Sequence, residues 1–177
     1  MLSFFRKITD VLDEYQIPYM LSGSIALGLY TVPRMTRDID FIVHLESKNL
    51  DLFVNSFKEG FYCDRDAVKE ALEGPIKMFN IIDHETNYKA DFVVLKDDPF
   101  RQEEFKRRLK VAYFGKTVYV VSPEDLLISK LIWIQDFQSA VQIEDIKSLV
   151  FVESLDWEYI SKWVKQLKLR TFELLNR

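Results

Sequence analysis

What this sequence lacks narrows it early. Its 177 residues hold one cysteine, Cys63, and two histidines, His44 and His84. A single thiol closes no intramolecular disulfide, so a disulfide scaffold is excluded and a reducing, cytoplasmic setting is expected. No Cys/His cluster points to structural zinc. The five glycines include no Walker-type phosphate loop, and no Gly-x-Ser-x-Gly nucleophile elbow is present. No apolar run approaches the roughly 20 residues that span a bilayer, so no membrane partner is expected. The stretch MLSFFRKITDVLDEY is amphipathic and carries acids, unlike a secretory or transit peptide. Positive charge is not in excess either. The 24 Lys and Arg against 28 Asp and Glu give a formal net charge of −4, which argues against broad electrostatic capture of nucleic acid.

What is present forms a core. Hydrophobic residues make up 48% and aromatics 14%, enough to bury an interior in about one domain's length. Phe4, Ile8, Val11, Leu12 and Tyr15 follow helical spacing. Residues 17–21 read as a buried strand and 24–30 as a helix ended by Pro33. Along 38–45, Ile39, Phe41, Val43 and Leu45 face one way, Asp38 and Asp40 the other. Leu50, Phe53, Val54 and Phe57 mark a further helix, and Asp64 caps another through Leu72. Residues 77–83 and 88–95 read as strands around the turn DHETN. A charged helix runs from Pro99 through Leu109, and 111–121 form a hairpin turning at Gly115-Lys116. Ser122-Pro123-Glu124-Asp125 is a capping box with proline at the first helical position. Beyond it only helices are expected: 124–137, 140–151, 156–167 and a short last one through Leu175. The expected fold class is α/β of the α+β kind. A mixed-sheet core spans residues 1–121, and a helical part over 122–177 packs on it.

Two features carry chemistry. Asp38 and Asp40 point to the same face of one strand, about 7 Å apart at Cα. Their repulsion needs compensation, and a divalent cation supplies it; Mg²⁺ prefers such oxygen ligands. In YKADFVVL, Asp91 stands alone among apolar residues of another strand, which folding alone explains poorly. Upstream, Gly23-Ser24 follows a strand and opens a helix, whose N-terminus suits a phosphate.

The set Gly-Ser, a gap over residues 25–37, Asp-Ile-Asp on a strand and a lone later Asp resembles the DNA polymerase β-type nucleotidyltransferase superfamily. RMTRDID, residues 34–40, is similar to the Arg-x-Thr-x-Asp-Ile-Asp stretch of its small bacterial and archaeal members. DDPFRQEEFKRR, SPEDLLISKLIWI and QIEDIKSLV are similar to stretches of uncharacterised proteins of this kind. The resemblance implies that Asp38, Asp40 and Asp91 hold Mg²⁺ or Mn²⁺ and that Gly23 and Ser24 take the triphosphate.

Other residues stay two-sided. Lys130, on an otherwise apolar helix, either snorkels to solvent or reaches the β- and γ-phosphates. Arg34 and Arg37 flank the catalytic strand, as phosphate ligands or as solvated turn residues. The basic stretch FKRRLK and Lys162, Lys165, Lys168 and Arg170 read first as solvated helix faces. Trp133, Trp157 and Trp163 read as core. The expected function is metal-dependent transfer of a nucleoside monophosphate from an NTP to an acceptor hydroxyl on an RNA end, a protein or a small molecule, with release of pyrophosphate. The rival readings are an inactive, antitoxin-like partner of a toxin–antitoxin pair, and an RNA-binding module.

Overall fold

Seven strands form one mixed sheet flanked by helices in the computed structural model, which describes residues 1–176. Helix α1 (Leu2–Glu14) buries Phe4, Phe5, Ile8, Val11 and Leu12 along one stripe. That helical spacing lets it lie on the core. Strand β1 (Tyr19–Leu21) leads through Ser22 into α2 (Gly23–Tyr30), and β2 (Asp38–Val43) follows. A 3-10 turn, Ser47–Asn49, runs into α3 (Leu50–Asn55). Next come β3 (Phe61–Tyr62), α4 (Arg65–Glu73), β4 (Met78–Asp83) and β5 (Lys89–Val94). Then α5 (Pro99–Lys106) precedes the hairpin of β6 (Leu109–Tyr113) and β7 (Lys116–Val120). Only helices follow: α6 (Pro123–Trp133), α7 (Ala140–Val150) and α8 (Trp157–Gln166). Their buried side chains join those of the sheet in one continuous core.

The strand order is β3-β4-β5-β2-β1-β7-β6. Strands β2 and β5 run parallel, as do β1 and β7, and the other neighbours are antiparallel. Phenylalanine stacking reinforces the register. Phe41, Phe92 and Phe79 are partners across β2, β5 and β4, and all are buried. Their rings stack with centroids 5.1 and 4.8 Å apart. A one-residue slip of β5 would turn this ladder to the wrong face. The same register places Asp40 beside Asp91 on the opposite face.

Helix α6 is anchored at its start. Ser122 caps it, accepting from the Asp125 N–H at 3.2 Å. Arg107 pairs with Asp125 at 3.1 Å and Glu124 at 3.4 Å, and the Tyr159 hydroxyl donates to Asp125 at 2.6 Å. These contacts hold Ser122, Asp125 and the helix that carries Lys130.

Several boundaries differ from the sequence reading. Helix α5 ends at Lys106 rather than Leu109, because Leu109 pairs with Val120 in β6. No helix runs through Leu175. Phe172 and Glu173 take left-handed backbone, φ 51° and 60°, which a right-handed helix excludes. Gln135 holds the segment before them, exchanging hydrogen bonds of 3.0 Å with the Arg170 backbone in both directions. Strand β2 stops at Val43, and His44 is exposed. The two residues of β3 are too few for alternation to show.

Candidate active site

Three rows of side chains cross the face opposite the phenylalanine ladder. In register, Asp38 partners Lys89; Asp40 partners Asp91, which partners Asn80; Ile42 partners Val93, which partners Met78. Thr36 shapes the entry to β2, its hydroxyl bonded at 3.1 Å to both the N–H and the carbonyl of Asp38.

The start of α2 closes on these acids. The Ser22 N–H donates to the Asp40 carbonyl at 2.9 Å. Gly23 has φ +57°, and a Cβ there would lie 1.8 Å from Asp40 Oδ2. Glycine alone provides both the left-handed backbone and the space for this carboxylate. Burial pushes the Asp40 carboxyl above its ordinary value, and the charge of Asp91 adds to that, with a smaller contribution from Asp38. A hydrogen bond from the Ser24 backbone N–H and the charge of Lys130 act in the opposite direction.

Two cationic groups answer the acids. On one side Lys89 Nζ lies 2.8 Å from Asp91 Oδ2 and 3.9 Å from Asp38 Oδ1. Its hydrogen bond with Asp91 holds the ammonium above its usual range. On the other side, buried Lys130 donates to Asp145 Oδ2 at 2.8 Å and to Gln142 Oε1 at 2.9 Å. Asp145 also accepts from Arg34 Nε at 3.3 Å, and Arg34 Nη2 donates to the Ser24 hydroxyl. A chain of contacts thus runs from α6 through α7 to the helix start beside Asp40.

A cleft of about 710 Å³ gathers Gly23, Ser24, Arg34, Asp38, Asp40, Asp91 and Lys130. Arg37 is exposed and outside its lining, where its carbonyl accepts from the Lys89 N–H at 3.4 Å. Trp163 is buried as the sequence implied, but Trp133 is largely exposed and lines the cleft, because it ends α6 beyond the core. Sequence reasoning missed Lys89 and Asp145. Lys89 was within reach, since strand alternation puts it on the face of Asp91. Asp145 had no local signal.

The site's donors suit a hard cation. Asp38, Asp40 and Asp91 offer only carboxylate oxygens, which Mg²⁺ or Mn²⁺ takes. Burial first, and then the neighbouring charge of Asp91, raises the Asp40 carboxyl, and a cation would offset that charge. Among the described residues no three acid, His or Cys side chains already converge as a metal cage. Lys89 is bonded to Asp91 instead.

Comparison with known proteins bears on the fold and the family. A family model described as nucleotidyltransferase of unknown function (DUF6036) matches residues 1–174. No curated protein matches the chain. Among solved structures, ANT(2")-Ia in complex with adenylyl-2"-tobramycin is similar with a TM-score of 0.64 at 16% identity, over 94% of this chain and 95% of that one. The lincomycin-bound lincosamide antibiotic adenylyltransferase LnuA gives 0.53 at 15% identity, over 80% and 91%. An antigenic nucleotidyltransferase-like protein from Paracoccidioides brasiliensis gives 0.51 at 18%, over 91% and 88%. At such identities the likeness is one of fold, and it matches the mixed sheet with its flanking helices. With its family model spanning nearly the whole sequence, the chain belongs to this nucleotidyltransferase family.

Proposed function

We propose that the protein transfers a nucleoside monophosphate from an NTP such as ATP to an acceptor hydroxyl, releasing pyrophosphate. The observation that carries this reading is the contact of the Gly23–Ser24 helix start with the Asp40–Asp91 row. Ser22 makes no side-chain cap at the start of α2; the Ser24 N–H turns to Asp40, and the N–H groups beside it suit the tail phosphates. Arg34 adds a guanidinium beside them. Lys130 has three ammonium hydrogens; Asp145 and Gln142 accept two, and the third is left for a phosphate oxygen.

Asp38, Asp40 and Asp91 would hold Mg²⁺ or Mn²⁺, which when bound neutralises triphosphate charge and lowers the pKa of the attacking hydroxyl. Asp91 orients that hydroxyl in line with the α-phosphorus and receives its proton. The new phosphorus–oxygen bond forms as the bond to pyrophosphate breaks, and no covalent enzyme intermediate is needed. Two neighbours of the same fold support the reaction class, one bound to an adenylylated antibiotic and one described as an adenylyltransferase.

The RNA-binding reading gains no support from the basic clusters. Arg107 pairs with Asp125, Arg108 donates to the Phe105 carbonyl at 2.6 Å, and Arg170 is tied to Gln135. Thermal melts with and without Mn²⁺ plus NTP test the proposal. Wild type should be stabilised by mass action, and an Asp38→Asn/Asp40→Asn double variant should lose the shift. An equal shift in both proteins would contradict the site.

A further inference from the structure

The sheet order gives the cleft two sides. The Gly23–Ser24 turn meets Asp40 on β2, next to β1, whereas β4 lies beyond β5 on the other side of Asp91. On that far side Val93 and Met78 are partners, one row on from Asp91 and Asn80. Pro75 and Ile76, just before β4, and Trp133 at the end of α6 line the same cleft. Three of these large apolar side chains stand open to solvent: Ile76 is 66% exposed, Met78 45% and Trp133 62%. Single exposed apolar residues need no explanation. All three share one concavity with the catalytic carboxylates; Ile76 and Met78 stand on the side of the acid assigned to the acceptor, and Trp133 follows Lys130 by one turn of α6.

We infer that this end of the cleft is the acceptor subsite. Its ligand is a small, neutral molecule that pairs an apolar ring with a hydroxyl. The inference rests on the nucleotidyl-transfer reading. Pockets for small molecules combine apolar walls with a few placed polar groups, and here the polar group is the Asp91 row. Charge on this side is balanced or spent. Lys77 Nζ donates to the Leu72 carbonyl at 2.7 Å, and Arg101 donates to Glu104 and Ser129 at 2.8 and 2.6 Å. Lys96 and Asp136 add one charge of each sign to the lining. Apart from Asp38, Asp40 and Asp91, whose charge Lys89 and a bound cation would answer, the lining on this side carries no cluster of charge of one sign. The indole of Trp133 offers a flat face on which a ring can stack, while Met78 adapts to irregular apolar shapes.

Equilibrium dialysis of the full chain, with α,β-methylene-ATP present, compares three probes. They are 4-nitrophenyl β-D-glucoside (a neutral ring with hydroxyls), tobramycin (a polycation) and a tyrosine-bearing hexapeptide. The glucoside should bind most tightly. A Met78→Ala/Trp133→Ala variant should bind it about tenfold more weakly, the loss expected from removing apolar contact area. Affinity for the ATP analogue should stay unchanged, which also shows that the variant is folded. Tighter binding of tobramycin or of the peptide overturns the proposed class. Undiminished glucoside affinity in the variant, or no glucoside binding by wild type, overturns the subsite. Failure of wild type to bind the ATP analogue is a separate signal, and it overturns the underlying reading instead.

Discussion

Lys130 Nζ lies 2.8 Å from Asp145 Oδ2, and both side chains are only 5% exposed. Because Arg34 bonds the same carboxylate, one acid on α7 holds two cations at the end of the cleft proposed to take phosphate. Removing it leaves a buried ammonium without its counter-charge. Asp145→Ala is expected to destabilise the fold by roughly 3–5 kcal/mol. Asp145→Asn, which keeps the shape, should cost less. Both should weaken NTP binding more than nucleoside monophosphate binding. Urea denaturation and parallel nucleotide titrations check this, and equal losses for the two nucleotides would reduce Asp145 to a purely structural role.

Gly23→Ala puts a methyl group where Asp40 Oδ2 now sits and forces an L side chain into positive φ. The fold should lose more than about 1 kcal/mol, and transfer activity should fall with it as the carboxylate is displaced. Chemical denaturation and a structure of the variant would show the displacement. Wild-type stability and activity together would contradict the close approach.

Asp40 predicts a trade between stability and function. Its carboxyl is raised above the ordinary value of 3.8 by burial and by Asp91. The folded chain therefore binds this proton more tightly than the unfolded chain does. Stability from this group is lost as pH rises from about 3.8 through the folded value, and the loss persists at pH 7. Asp40→Asn removes the charge. It should melt higher than wild type at neutral pH, by roughly 2–4 °C for each kcal/mol relieved, and be inactive. The gain should vanish in acid. Melting curves across pH decide the sign, and a lower melting temperature at neutral pH would contradict an under-compensated charge at Asp40.

Much of this site was legible because its signals are local. Gly23-Ser24 before a helix, Asp38 and Asp40 on one strand face, and Asp91 in an apolar strand each rest on a few neighbouring residues. The sheet follows from the same alternation that buries Ile39, Phe41 and Val43. Asp145 was not legible. It sits in QIEDIKSLV, where the sequence marks a helix and no role for this acid, and the packing of α7 against α6 buries it. Trp133 fails in the opposite sense: its helical spacing is right, but α6 ends there, leaving the ring open to the cleft. At the C-terminus a short last helix through Leu175 was expected, whereas left-handed backbone at Phe172 and Glu173 turns the chain.

Lys89 should compete with the metal. Its ammonium bonds Asp91 and stands near Asp38, so it answers the charge that a cation would answer. It is partly exposed, which keeps the effect small. Lys89→Met is expected to tighten Mn²⁺ binding a few-fold, read by electron paramagnetic resonance with α,β-methylene-ATP present. Weaker binding by the variant would make Lys89 a helper of the cation rather than its rival.

The most direct test supplies α-labelled and γ-labelled ATP in parallel, with Mg²⁺ or Mn²⁺, across a panel of hydroxyl acceptors. The acids Asp38, Asp40 and Asp91 beside the Gly23–Ser24 turn predict label in the acceptor from the α position only, with pyrophosphate released. Label from the γ position, with ADP released, would mean a kinase-like reaction and contradict the account. Transfer from neither, with metal binding intact, would contradict it in favour of an inactive partner.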